Sequence, residues 1–599
     1  MASELPDREN IKDEYKWNLD DIYDSVEEWE KDLDKVEKLL KNIKEYENEL
    51  TESDEKLYQA INLLMKIEKI NSKLYTYAHL AQDQDTRNQK YQEIFMRAQD
   101  IYNKTENVVS FIKPELIRLE ETELKNFLQE HTKLNKYKKY LYDIFSKKDH
   151  YLSKPEENLL GLSQNVTDSF MNIFNMLNDA DLSFPEIENE KGEKVRLTHG
   201  RYSKFMESQD RNVRKRAFQA LYNKYKEFKN TFASTLSSKL KSDIFYAKAR
   251  KYESSLAAAL DQNNIPVEVY SNLIDTVKDN LTVFHKYISL RKNLLDVDNL
   301  HMYDIYVPLM DKDIHLSFDK SKKIIIEALK PLGKEYIEIV KKAFKSGWID
   351  VYENKGKRSG AYSSGCYEVH PYILLNYNEN INSLFTLAHE LGHALHSYFS
   401  SKSQPYVYAD YKIFLAEIAS TLNECLLVNY LIENTKDDLE KRLYLNHFLE
   451  AFRVTVFRQT KFAEFEKIIH TKSENNIPLT SKKLNEIYYN LTKAYYGSDI
   501  ILDSEISFEW ARIPHFYYNF YVYQYATGFS AAIAISRNIL DGKENAVNNY
   551  MEFLKSGDSD YPLNIVENAG VDMTTSEPIE SAIREFENYL INFKNLEGN

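Results

Sequence analysis

Helix breakers are scarce in this chain: 15 glycines and 13 prolines are spread over 599 residues. Glycine disfavours a helix interior by about 1 kcal/mol and proline by about 3 kcal/mol relative to alanine, so their absence over long stretches points to a mainly α fold. The length exceeds what one small core organises, which predicts two or more domains or one large multi-lobed body. Residues 20–150 read as consecutive amphipathic helices. In EEWEKDLDKVEKLLKNIKEY, Trp29, Leu33, Val36, Leu39 and Leu40 recur at helical spacing, and a second helix begins near Ser53 with Leu57, Ile61, Leu64 and Ile67. The lysines and glutamates between them are read as solvated helix faces.

Two interruptions organise the rest. In FPEIENEKGEKVRLTHG, Pro185 and Gly192 flank an alternating charged stretch that predicts a small β-hairpin. A domain boundary is placed near residue 200, dividing an N-terminal helical domain (1–200) from a second domain (201–599). Helices resume at Arg201 and run to about Lys345. The segment 348–378 then concentrates glycine, serine and β-formers, and Tyr372–Leu375 is an apolar run of strand length. A small sheet is expected there, followed by a helix capped by Asn382 or Ser383. From Ile513 to Ser536 there is no Asp, Glu, Lys or Arg, a span of bilayer length. Because it contains His515, Asn519, Gln524 and several tyrosines, it is read as a buried helix near a polar site, not a membrane span.

Charge and cysteine usage narrow the function classes. The formal net charge of −15 argues against a polyanion partner such as nucleic acid, which needs a basic face. Cys366 and Cys425 stand far apart and do not make a secreted disulfide framework. The polar start MASELPDRENIKDEYKW has no apolar signal-peptide core. A reducing, cytoplasmic setting with no membrane partner is expected.

The chemistry concentrates in FTLAHELGHALHS, residues 385–397. His389 and His393 are one helical turn apart, so both imidazoles project from one face. That pairing suits Zn²⁺, and Glu390 beside His389 can reach a metal-bound water as general base. Leu384, Leu387, Leu391 and Leu395 form an apolar stripe that holds the helix down and leaves the histidine face for another task. A catalytic zinc wants a third protein ligand. His396 is on the correct side of the helix, but seven residues from His389 is about 10 Å along the axis, beyond comfortable reach. Glu417, in FLAEIASTLNE, is the better candidate: it sits amid Phe414, Leu415, Ile418 and Ala419, where a carboxylate is costly unless paired or metal-bound. Glu424, seven residues on, is placed to orient an imidazole.

HELGH followed at this distance by AEIASTLNE resembles the thimet oligopeptidase superfamily, and most closely oligoendopeptidase F. KWNLDDIY, ALDQNNIPVEVYSNLI, YDIYVPL, KRSGAYSSGCY and RIPHFYYNFYVYQYATG are similar to that family too, so the likeness covers nearly the whole chain. The resemblance implies a mainly α, large multi-helix two-lobed body enclosing a deep channel, with a small β-sheet next to the zinc-binding helix. It implies residues 1–200 as one wall of the channel and 201–599 as the catalytic domain. One Zn²⁺ per chain would be held by His389, His393 and Glu417, Glu390 would activate water, and the substrates would be short unfolded oligopeptides.

The resemblance also directs attention to His515 and the tyrosines after it. A donor aimed at the oxyanion formed by water attack lowers the barrier, and His515 with Tyr521 is assigned that task. Were the segment helical, Tyr517, Tyr521 and Tyr525 would share a face while Tyr523 points elsewhere; which tyrosine donates stays open. Tyr517 and Tyr523 are expected to touch substrate. In the glycine-rich stretch Ser359–Tyr367, Gly360, Ala361, Tyr362 and Gly365 are expected to offer main-chain pairing to an extended peptide. Three functions fit these residues: an endopeptidase of oligopeptides, an exopeptidase trimming dipeptides from C-termini, and a helical binding protein that retains a zinc. Intact Glu390 argues against the last.

Overall fold

The computed structural model describes residues 4–310 and 314–596. The chain forms a mainly α fold, as expected, with only short strands. It divides into two compact units, each assembled from three chain segments. The first contains Met1–Tyr151, Asp313–Glu433 and Ile535–Val571; the second contains Leu152–Lys312, Asn434–Ala534 and Asp572–Asn599. The boundary expected near residue 200 coincides with no limit of either unit. The hairpin that suggested it exists, Glu186–Glu188 pairing antiparallel with Lys194–Arg196, but it lies inside the second unit. Helices on both sides of it share one core: Phe174 before the hairpin packs edge-on against Phe232 after it, ring centres 6.0 Å apart.

In the first unit the N-terminal helices form as their spacing predicts. Val26–Lys44 is capped by Ser25, and α1 (Asp54–Gln84) by Ser53, whose side chain accepts from the Lys56 N–H. Trp29, Val36, Leu40, Leu57, Ile61 and Leu64 are buried between these helices and Gln89–Val109. The same core includes Tyr372 and Leu374 from the sheet region. Main-chain bonds explain how segments so far apart in sequence come together: Asn18 N–H donates to the Gly347 carbonyl at 2.8 Å, and Val351 N–H to the Tyr15 carbonyl at 2.9 Å. Arg8 pairs with the buried Asp350 at 2.6 Å.

The sheet has three strands, β1 (Ile349–Asp350), β2 (Tyr362–Ser364) and β3 (Tyr372–Leu374), in the order β1-β3-β2, with β1 parallel and β2 antiparallel to β3. All of β3 is buried, which is why it reads as a continuous apolar run. β2 is an edge. The helix that follows, α2, spans Ile381–Ser403 and is capped by Asn380, whose side chain accepts the Ser383 N–H at 2.9 Å. The cap therefore lies ahead of the expected Asn382 or Ser383. Ser383 instead accepts the Asn378 N–H through its hydroxyl, closing the turn from the other side. α3 (Ile413–Asn434) completes the part of this unit that matters for the site.

The second unit is a helical body around an aromatic core, in which Phe284 stacks on Phe457 at 4.4 Å and Phe452 packs on Phe586 at 4.8 Å. One of its helices is α4 (Gln459–Glu474). The charge-free stretch 513–536 is not one helix. Pro514–Tyr517 is a single 3-10 turn, Asn519 and Phe520 adopt left-handed backbone (φ 49° and 60°), and α5 (Tyr523–Leu540) begins after them. The Phe520 N–H donates to the buried Glu466 of α4 at 2.6 Å and its ring lies 4.3 Å from that of His470, so side chains remote in sequence hold the turn. Among the described residues no helix is long and apolar enough to cross a membrane. Cys366 and Cys425 are both buried, and neither takes part in a disulfide among the described residues.

Candidate metal centre

α2 buries Leu384, Leu387, Ala388, Leu391, Ala394 and Leu395 at the interior, as the apolar stripe predicts. α3 crosses this helix at Gly392, the glycine inside HELGH. A Cβ there would stand 2.4 Å from Ser420 Cα and 2.6 Å from the Ala419 carbonyl oxygen, so only glycine permits so close a crossing. Asn423 locks it, donating to the Ala388 carbonyl at 3.1 Å while accepting from the Tyr336 hydroxyl at 2.8 Å. A glycine in mid-helix is the one sequence signal that marked this contact. Gly392→Ala is expected to lower stability by about 2 kcal/mol, despite alanine's better helix propensity, because backbone sits where the methyl must go. Thermal unfolding of the variant beside the parent checks this.

The crossing brings α3's glutamates to α2's histidines. His389 Nδ1 donates to Glu424 Oε1 at 2.6 Å, which leaves Nε2 to face inward. His389 Nε2 lies 3.7 Å from Glu417 Oε2 and 3.1 Å from His393 Nε2. The ligand atoms of His389, His393 and Glu417 all lie within 4.8 Å of one another. Four-coordinate zinc, with bonds of about 2.0–2.1 Å, holds its ligands about 3.4 Å apart, so the three residues fit such an ion. Both rings have the outer partners that metal-binding imidazoles use: Glu424 for His389 and the Ala416 carbonyl for His393.

Electrostatics agrees with a cation site. Three carboxylates, Glu390, Glu417 and Glu424, act on one another and on His389. Burial raises Glu417, with Glu424 adding to it. Burial, with Glu417 and Glu424, also pushes Glu390 up to about 7. Burial lowers His389, yet Glu424, Glu390 and Glu417 outweigh it and hold that ring at about 9, while burial and His389 push His393 down to about 3. The raised His389 ring thus reflects a concentration of carboxylates around it, a setting that suits a divalent ion. His396 takes no part: it is fully buried, stacked on Tyr411 at 3.6 Å and on Phe553 at 5.2 Å.

The edge strand β2 stands over Glu390, whose carboxylate accepts the Ser363 N–H; sequence reasoning did not single out Ser363. Among the expected substrate contacts nearby, Gly360 is left-handed (φ +90°) with open space where a Cβ would project. Its carbonyl, like that of Arg358, accepts from Asn376. Ala361 leads into the strand. The Tyr362 hydroxyl is committed to Asp83 of α1 at 2.8 Å, and the Gly365 carbonyl accepts from Thr76 at 3.3 Å.

A second group forms within the other unit. His515 lies 6.2 Å from the ring of Tyr521, nearly parallel to it, and 6.0 Å from Tyr525. The left-handed turn breaks the helical relation between Tyr517 and these tyrosines. Tyr517 is buried, its hydroxyl bonded to Thr235 at 3.0 Å and its ring 4.6 Å from Phe174. Tyr523 is also buried, against Tyr270 at 5.2 Å. The expectation that Tyr517 and Tyr523 meet substrate does not hold: both are core residues. Glu466, which sequence reasoning passed over, fixes the turn that puts Tyr521 beside His515.

A mainly helical body with a His-Glu-His centre backed by glutamates has the make-up of a helical metallohydrolase. Comparison with known proteins narrows that class. Residues 204–585 match the model of Peptidase family M3, and residues 115–184 that of Oligopeptidase F. The chain is 47% identical to Oligopeptidase PepF of Bacillus subtilis, over 99% of this chain and 89% of that protein. It is 43% identical to Group B oligopeptidase PepB of Streptococcus agalactiae, over 98% of each. The crystal structure of oligoendopeptidase-F from Enterococcus faecium superposes with a TM-score of 0.76 at 40% identity, covering 96% of this chain and 99% of that one. The chain belongs to peptidase family M3. It is a peptidase.

Proposed function

We propose that the chain is a cytoplasmic zinc endopeptidase that cuts internal bonds of short, unfolded oligopeptides. The observation that carries this is the convergence of His389, His393 and Glu417 within 4.8 Å, next to a buried carboxylate, Glu390, with no structural ion pair to a lysine or arginine among the described residues. Two imidazoles and a carboxylate are a donor set for zinc. When bound, such an ion supplies Lewis acidity that makes water nucleophilic at neutral pH and polarises the scissile carbonyl.

The chain's own groups do the rest. His389 and His393 present their Nε2 atoms, and Glu424 keeps the proton of His389 on Nδ1, away from the metal. Glu390 takes the proton of the attacking water and returns one to the leaving amine. The Ser363 N–H holds the Glu390 carboxylate in position, and the open edge of β2 offers main-chain groups to an extended substrate. By family likeness, His515 and Tyr521 are proposed as donors to the developing oxyanion. The names of the relatives support oligopeptides as the substrate class.

The test is an internally quenched peptide of about ten residues beside a stably folded protein, with products identified by mass. Internal cleavage of the peptide and survival of the folded protein are expected. Release of C-terminal dipeptides alone would mark an exopeptidase, and rapid degradation of the folded protein would refute the size limit.

A further inference from the structure

Next to the candidate metal centre, within the first unit, lies a cavity of about 310 Å³ that none of the proposed catalytic residues uses. Two of its walls lead away from the metal centre. On α2, His389, His393, Ser397 and Ser401 follow one another at four-residue spacing and share a face; the first two belong to the metal centre and the last two line the cavity. Ser397 and Ser401 lie about 6 and 12 Å beyond His393 along the axis. The Tyr411 hydroxyl, in the same wall, bonds Ser397 at 2.9 Å and donates to the His393 carbonyl at 3.4 Å. The other wall continues β2: Ser363 meets Glu390, and Gly365, Cys366 and Tyr367 just after the strand line the cavity.

The chemistry of the lining is acidic and aromatic. Glu68 of α1 faces the cavity with Tyr140, Tyr367, Tyr406 and Tyr411, and among the described residues no lysine or arginine lines it. Asp410 adds a second carboxylate at an exposed position. Among the described residues nothing pairs with Glu68. Lysines on neighbouring turns pair with groups other than Glu68: Lys69 with Glu368 at 2.6 Å, Lys73 over the Tyr23 ring at 4.1 Å, and Lys139 between Asp143 and Asp558 at 2.7 and 3.1 Å. Burial, with Glu106 adding to it, pushes Glu68 up to about 7 against the pull of Lys113, the state of a carboxylate short of a counter-charge. Tyr367 and Tyr406 pack edge-on at 5.6 Å, and the Lys69 ammonium lies 5.2 Å from the centre of the Tyr367 ring, so this aromatic wall already accepts a cation on one of its faces. A carboxylate among tyrosine rings recognises an ammonium or guanidinium through charge and ring quadrupole together.

We infer that this cavity is a substrate subsite for a cationic group of the peptide, a Lys or Arg side chain about two to four residues from the scissile bond, with Glu68 as its counter-charge. The spacing follows from an extended chain advancing about 3.3 Å per residue over the distance between His393 and the two serines. The inference rests on the peptidase reading above and deepens it.

N-acetylated quenched peptides that carry lysine or norleucine at one position at a time, within four residues of the cut bond, test it. At one position lysine is expected to raise kcat/KM about tenfold over norleucine, a modest figure because the pocket is partly open to solvent. In Glu68→Gln that ratio should fall to near one, and in Glu68→Lys glutamate should become preferred over lysine at the same position. A preference seen only with unblocked peptides assigns the terminal amine as the cation, with Glu68 still its partner. If the parent prefers lysine nowhere in that window, or the preference survives in both variants, the inference is overturned. If the parent cuts neither peptide set, the peptidase reading fails and takes this inference with it.

Discussion

Glu390→Gln is expected to lower kcat by about 10³ or more while zinc content and peptide affinity stay at the parental level; general acid–base catalysis by a positioned group is worth about 10²–10⁴. Glu390 is buried, 7% exposed, and accepts the Ser363 N–H. A glutamine keeps the shape and can accept the same bond through its Oε1, but it can take no proton from water. His515→Ala is the comparison. A single donor to an oxyanion is worth about 10²–10³ in rate, so this variant should lose kcat clearly, keep its zinc and retain measurable turnover. Metal content, affinity for an uncut peptide and kcat, measured for both beside the parent, separate the roles. Near-parental turnover in Glu390→Gln would remove it as the base. Unchanged kcat in His515→Ala, or loss of its metal, would remove His515 as the donor.

Chelation is expected to abolish activity and added zinc to restore it, with about one zinc per chain in the active protein. Glu417→Ala should lose zinc, whereas His396→Ala should keep it. Even partners that only orient a ligand are worth about 10–100-fold in metal affinity, so loss of the third ligand should weaken zinc binding by about 100-fold or more. His396 is a core residue stacked on Tyr411 and Phe553. Its removal leaves a cavity and should cost stability without touching the metal site. Metal analysis after dialysis against a weak chelator reads both variants. Zinc retained without Glu417 and lost without His396 would show that the third ligand is misassigned.

What could be read without coordinates was what depends on neighbours along the chain. The helical spacing of Trp29, Val36 and Leu40, the helix start near Ser53 and the apolar run Tyr372–Leu375 are local patterns, and the helices and the strand formed there as expected. His389 and His393 face one way because a single helical turn separates them. Glu417 could be nominated from its apolar company alone. What brings Glu417 and Glu424 to those histidines is different in kind. It is the crossing at Gly392, where the missing side chain lets two helices approach within a distance that no other residue allows.

The same holds for the expectations that failed. Tyr517 and Tyr523 were assigned to substrate on the likeness of a segment whose course depends on two left-handed residues, Asn519 and Phe520, and these are held by Glu466 and His470 from another helix. The boundary near residue 200 followed a real hairpin, but Phe174 and Phe232 close one core across it. Glu68 looked like one of many solvated glutamates; only the packing of α1 against the sheet region and α2 sets it in a cavity with four tyrosines. Hydrophobic period and capping act over a few residues and are written in the chain, so the sequence by itself determined the helices, the strand and the HELGH face. Which side chains share a cavity or a charge is decided by contacts across hundreds of residues, and for those only the tertiary structure supplies the distances.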